Sequence, residues 1–172
     1  MIIRQLSAHD ADAYQSLRLQ ALQESPTAFS ASYSDEAGRS LAEIESRVTP
    51  AADGSKCVFG AFVDDELVGI LAFIRPVRAK LLHCAELAGM FVAGDFRRRG
   101  IGGALVDQAL AHARSLPNLR QLKLAVNATN LAARSLYQSR GFRCIGLEPE
   151  AICVEGRYYD EEFYVLRLTG ER

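Results

Sequence analysis

The spacing of apolar positions changes near residue 56, from a helical period to strand-like runs. Before that point, Ile2 to Leu6 is short and apolar enough for a first strand, and Ser7 opens a Ser-x-x-Asp start for a helix running to about Glu24. Leu17, Ala21 and Leu22 supply its apolar side, and Pro26 ends it. Residues Thr27 to Arg39 are small, polar and aromatic by turns. Ser40-Leu41-Ala42-Glu43 then caps a second helix reaching about Val48, and Pro50 to Ser55 read as a loop.

From Lys56 onward, Cys57 to Val63 and Leu67 to Ile74 are apolar at successive positions, so both faces of each strand are buried. Asp64-Asp65-Glu66 joins them as a hairpin of two central strands, and a third strand from about Leu81 to Val92 completes a meander. In the helix expected over 100–115, Ile101, Leu105 and Ala109 form one stripe beside Val106 and Leu110, and Pro117 stops it. A strand at Leu122 to Val126, a helix at Asn130 to Arg140, and strands near Arg143 to Leu147 and Tyr158 to Leu168 come next. This order predicts an α+β fold, a mixed and mostly antiparallel sheet flanked by helices, with residues 1–172 as a single domain.

Composition narrows the functional classes. A chain of 172 residues with 49% hydrophobic content has enough material for one real core. Its formal net charge of −1 offers no overall basic surface to nucleic acid or an anionic membrane. The N-terminal residues lack the apolar stretch of a signal peptide, and no run approaches the roughly 20 apolar residues of a bilayer span, so a cytoplasmic location is expected. Cys57, Cys84, Cys144 and Cys153 show no Cys-x-x-Cys spacing and no nearby histidine pair, so buried reduced thiols and no metal site are expected.

The chemistry concentrates at Arg97-Arg98-Arg99-Gly100-Ile101-Gly102-Gly103, between an apolar strand and a helix. Glycines there let backbone N–H groups approach a diphosphate, and the positive end of the helix dipole favours the anion. The spacing fits neither a Walker A loop nor a dinucleotide fingerprint. Arg-x-x-Gly-x-Gly instead closely resembles the pyrophosphate loop of the GNAT acetyltransferase superfamily. A second stretch, Asn130-x-x-Ala133-x-x-Leu136-Tyr137-x-x-x-Gly141-Phe142, resembles that family's second motif in the right order.

The resemblance implies a GNAT-like fold and an N-acetyltransferase that takes the acetyl group from acetyl-CoA, with attack by the amine in a ternary complex. It implies that the strand before the loop carries a bulge and parts from its neighbour, exposing backbone groups of Met90, Phe91 and Val92 to the pantetheine amides. Main-chain donors from Arg99 through Gly100, Ile101 and Gly102 to Gly103 would meet the diphosphate, with Arg97 or Arg98 adding charge. By position in the motif, Asn130 contacts the cofactor and Tyr137 protonates the departing thiolate; Asn130 also suits a helix N-cap. A phenol's usual pKa of about 10 keeps that proton in place at neutral pH.

Glu86 is the candidate base, fourteen residues before Gly100 on a strand where some family members carry a catalytic glutamate. Alternation puts it on the face of Cys84 and Ala88, where a structural carboxylate is the competing reading. In the ribosomal-protein alanine acetyltransferase branch the glutamate stands on the later strand, where this chain has Ala125. His9, His83 and His112 are scattered, and only His83 lies near enough to Glu86 to suggest a proton relay. The expected partner is a small-molecule or peptide amine, with a homodimer left open. Phe29, Tyr33, Glu155, Tyr158 and Asp160, from Thr27 to Arg39 and a loop over Glu148 to Asp160, are candidates to shape its pocket. The alternative reading is a non-catalytic acyl-CoA-binding module or sensor.

Overall fold

Asp64 and Asp65 both take positive φ, 49° and 64°, and close a two-residue turn between β2 (Lys56–Val63) and β3 (Glu66–Ile74). Two left-handed residues in succession give a turn whose twist matches that of the flanking strands, which sets the hairpin register. The computed structural model describes residues 1–168. β1 (Ile2–Gln5) pairs with β2, and β4 (Cys84–Val92) with β3. β5 (Gln121–Asn127), β6 (Arg143–Val154) and β7 (Arg157–Arg167) complete one seven-stranded sheet in the order β1-β2-β3-β4-β5-β7-β6. Every neighbouring pair is antiparallel except β4 with β5.

The helices are α1 (Ala11–Glu24), α2 (Tyr33–Ala37), α3 (Leu41–Val48), α4 (Ile101–Ser115) and α5 (Leu131–Ser139). They cover both faces of the sheet, which is why the central strands are apolar at successive positions. Phe59, Phe73, Leu87 and Leu122 pack with Leu105, Val106 and Ala109 of α4. Val58, Ile70 and Phe91, pointing the other way, pack with Leu17, Ala21 and Leu22 of α1 and with Ile44 and Val48 of α3. Truncating one such buried aliphatic side chain costs about 2–5 kcal/mol, against at most about 1 kcal/mol for an exposed ion pair, so these two layers hold the fold.

Four expectations need correction. The third strand begins at Cys84, because Ala79–Leu81 forms a 3-10 turn and Arg75 ties the Leu82 carbonyl (2.6 Å) to that of Pro117 (3.0 Å). Thr27 to Arg39 contains α2, capped by Ser32 and Asp35 in the same box that starts the helices at Ser7 and Ser40; five residues are too few to display a period. Residues 148–160 belong to the β6–β7 hairpin, turned at Glu155 and Gly156 with φ of 50° and 76°. As the edge strand, β6 is exposed on both faces over its first eight residues and lacks alternation, and Pro149 falls where its pairing shifts register. Cys57 and Cys84 are buried as expected, whereas Cys144 and Cys153 on that edge are exposed.

Candidate active site

β4 and β5 pair only through Cys84 with Gln121, Ala85 with Leu122 and Glu86 with Lys123. Beyond Glu86 the two strands separate and leave a gap in the sheet. The register of β4 against β3 shifts between Ala72–Ala88 and Ile70–Phe91, so three residues of β4 span what two span on β3. Gly89 sits in that bulge with a φ of 63°. A bulge bends its strand and re-aims the residues beyond it, and here it is followed by Met90 to Val92, the last residues of β4. Arg97 Nε donates to the Val92 carbonyl (2.8 Å) and Nη2 reaches Glu24 (3.0 Å), so this arginine braces the end of β4.

The loop after β4 ends in Gly100, the N-cap of α4, at a φ of 80° with open space where a Cβ would stand. The neighbouring glycines are needed for packing. A Cβ on Gly102 would lie 3.3 Å from both Met90 Cε and Leu136 Cδ2, and one on Gly103 would fall on the Arg140 guanidinium. Arg140 itself reaches Asp107 of α4 (3.3 Å). Thus Gly102 and Gly103 bring α4 close to β4 and α5, while Gly100 leaves the helix start clear. Arg98 takes a φ of 61°, and Arg99 lies over the Phe96 ring at 5.2 Å. The gap and the bulge on β4 are followed along the chain by the open α4 N-terminus, an order that suits a chain of amides ending in a diphosphate.

Asn130 caps α5, its Oδ1 accepting from the Ala133 N–H (3.1 Å). Two turns on, Tyr137 is 6% exposed, edge-on to Phe142, and its Oη donates to Met90 Sδ at 3.4 Å. Burial pushes the phenol pKa well above its ordinary value, so it stays protonated. A thioether is a weak acceptor, and a stronger one entering the gap beside Met90 would compete for this proton.

Glu86 lies on the opposite face from Ala85 and Leu87, with an exposed side chain, at the last residue pair before the gap. It lines a cavity of about 680 Å³ between the sheet and α1, together with Glu148, Glu161 and Phe163. Burial, and then the charge of Glu148, raise the Glu161 carboxyl pKa. Phe29 lines the same cavity; Tyr33, Glu155, Tyr158 and Asp160 do not. The buried Asn127 side chain donates to the Thr27 carbonyl (2.9 Å) and so ties the Phe29 segment to the end of β5.

Two features escape a reading of the sequence. Gly89 makes the bulge, and a glycine inside an apolar strand is its signal. Arg18 and Glu36 form a buried charged wall of the cavity, and the signal for Arg18 is its position four residues after Tyr14 within the apolar stripe of α1. His112 is structural: its ring packs edge-on against Phe59 and Phe73, and Nε2 lies 2.9 Å from the Gly54 carbonyl. Among the described residues no cluster of metal-binding side chains occurs, and no helix is long and apolar enough to cross a membrane.

The family model described as "Acetyltransferase (GNAT) family" matches residues 18–142, which take in the bulge, the glycine loop and α5. The chain belongs to the GNAT acetyltransferase family. An acetyltransferase of this family from Streptococcus pneumoniae has the same fold, with a TM-score of 0.85, 23% identity, and 96% of this chain and 98% of that one covered. A GNAT phosphinothricin acetyltransferase from Sinorhizobium meliloti, solved in complex with acetyl-CoA, superposes with a TM-score of 0.81 at 20% identity, covering 96% and 87% of the two chains. N-acetylaspartate synthetase from Rattus norvegicus is 36% identical over 90 residues, 52% of this GNAT chain. Those residues make up 29% of the rat protein.

Proposed function

We propose that this GNAT protein is an N-acetyltransferase that moves the acetyl group of acetyl-CoA to an amine by direct attack in a ternary complex. The observation that carries this reading is the separation of β4 from β5 immediately after Glu86, next to a bulge at Gly89 and an open α4 N-terminus. Backbone N–H groups from Arg99 to Gly103 receive the diphosphate, and the edge at Met90, Phe91 and Val92 receives the pantetheine amides. Arg98 and Arg99 supply positive charge at the loop, whereas Arg97 acts mainly as a brace.

In the reaction the amine nitrogen bonds to the thioester carbonyl carbon and the C–S bond breaks. The amine must first lose a proton, which Glu86 accepts directly or through a water. Tyr137 gives its hydroxyl proton to the sulfur as the thiolate leaves, and the second proton, shed by the acylated nitrogen, is returned to the phenolate through water. Holding both reactants in the gap contributes the orientation on which rate depends most.

The test is a screen of amines, amino acids and peptide N-termini with acetyl-CoA, read by free-thiol release alongside CoA calorimetry. Thiol release that depends on one amine class supports transfer. CoA binding without turnover of any amine would leave an acyl-CoA-binding module, and no CoA binding would remove the cofactor assignment.

A further inference from the structure

Arg18 projects from α1 into the wall of the cavity that Glu86 borders, and it is 9% exposed. Its Nη1 is buried and finds no hydrogen-bond partner. The neighbouring charges are already committed. Glu36, 3% exposed, accepts from Arg39 Nε at 2.7 Å and from Arg47 Nη1 at 2.8 Å, and Arg39 also reaches Glu43 at 3.7 Å. Lys56 donates to the Ser46 carbonyl at 2.7 Å. Of the two arginines in the cavity lining, Arg18 and Arg47, Arg18 is therefore the one with no hydrogen-bonded carboxylate. Its guanidinium lies over the Phe29 ring at 4.6 Å, and Nη1 is 3.8 Å from where a Cβ on Gly89 would stand. The Phe29 ring thus flanks the guanidinium, which reaches the bulge beside the gap.

A buried, unpaired guanidinium is costly unless a ligand supplies the counter-charge, and a planar fork fits a carboxylate through two parallel hydrogen bonds. The lining also takes in Glu86 of β4, Glu148 of β6 and Glu161 of β7, all on the sheet side. With Glu36 engaged by Arg39 and Arg47, the cavity presents an unpartnered Arg18 Nη1 from the helix side and three carboxylates from the sheet side, an arrangement that suits a molecule with both charges. We propose that Arg18 anchors the carboxylate of an amino-acid acceptor, whose ammonium group is then turned toward Glu86. This rests on the transferase reading, and it makes a free amino acid, rather than a polyamine or another purely cationic amine, the acceptor class.

The experiment compares amino acids with their amides, their methyl esters and the amines lacking the carboxyl group, each with acetyl-CoA. With the unmodified protein, kcat/KM for the acid should exceed that for the amide by at least about tenfold, equivalent to about 1.4 kcal/mol. Arg18→Gln should raise KM for the acid by a similar factor while leaving KM for acetyl-CoA and the rate with the amide within about twofold, and Arg18→Lys should recover part of the loss. An amide or a cationic amine used as well as the acid would overturn the assignment, as would an Arg18→Gln loss shared equally by acid and amide.

Because Arg18 is buried, unchanged CoA affinity in the variants serves as the folding control, and the substrate comparison in the unmodified protein needs no variant. If no amine is acetylated at all, the transferase reading fails. Calorimetry of amino acid against amide on the CoA-loaded protein then decides the anchor separately: preference for the acid that Arg18→Gln abolishes supports it, and equal or no binding refutes it.

Discussion

The Tyr137 hydroxyl and the Met90 thioether meet at 3.4 Å, linking α5 to the strand that ends in the glycine loop. That contact is weak, and the burial that raises the phenol pKa also strips it of water, so the proton is held ready for a better acceptor arriving in the gap. Replacing Tyr137 with Phe keeps the ring packed against Phe142 and removes only the proton. We expect kcat to fall about 10²-fold with CoA affinity within about twofold. Stopped-flow thiol release and calorimetry measure the two, and an unchanged kcat would return Tyr137 to packing.

At Gly102 the space for a side chain is bounded by Met90 and Leu136. Gly102→Val should push α4 away from β4 and weaken CoA binding by at least about tenfold, while circular dichroism reports an intact fold. Unchanged CoA affinity in a folded variant would contradict the proposed CoA site.

Gly89→Val tests the bulge. A branched side chain at a φ of 63° costs about 1–2 kcal/mol of stability. If the strand instead relaxes to regular pairing with β3, the gap narrows, and CoA affinity should fall further than the melting temperature alone accounts for. A variant that melts earlier yet binds CoA normally would show that the bulge serves only the fold.

Glu86→Gln is nearly isosteric. With Glu86 as base, kcat/KM rises with pH through one ionisation, and the variant should lose that limb while CoA still binds. Two amines of different pKa separate this from ionisation of the substrate itself. A limb that tracks the amine and persists at full rate in the variant would leave deprotonation to solvent.

Asp10 provides a stability test away from the site. The Arg4 guanidinium, together with the Ser7 N–H and hydroxyl, holds its carboxyl well below the usual carboxylate range. A depressed folded-state pKa contributes stability above the unfolded value of about 3.9, and that contribution is lost as pH falls toward the folded one. Asp10→Asn should therefore destabilise by about 1 kcal/mol at neutral pH, and the difference from the parent should shrink progressively in acid, as chemical denaturation at several pH values will record.

The elements easiest to read from the sequence are those with two apolar faces or a long stripe: β2, β3, β4, α1 and α4. α2 and the far half of β6 escape it, the first because five residues carry no period and the second because Pro149 and the register shift between Glu148 and Ile152 interrupt the strand. Around the site, the glycine loop and Tyr137 can be named from motifs, and Glu86 from its place on the strand before the loop. Gly102 and Gly103, read as openings for a phosphate, also make room for neighbouring side chains, which the motif does not display. Arg18 is hidden because a charged residue in an apolar helix stripe reads as surface until the partner it lacks is known.

The three residue pairs that join β4 to β5 leave β1–β4 and β5–β7 as two half-sheets sharing a short zip of backbone contacts. In the proposed binding mode a molecule lying in the opening would supply the missing rungs, and so would act on the protein as a clasp as well as a reactant. Binding at 100 times Kd adds about 2.7 kcal/mol to global stability, but the larger local effect falls on opening across the seam. Amides of residues 87–92 that exchange readily with solvent in the free protein should slow when the clasp is in place, while those of β2 and β3 scarcely change. Backbone exchange thereby becomes a record of occupancy that needs neither turnover nor knowledge of the acceptor.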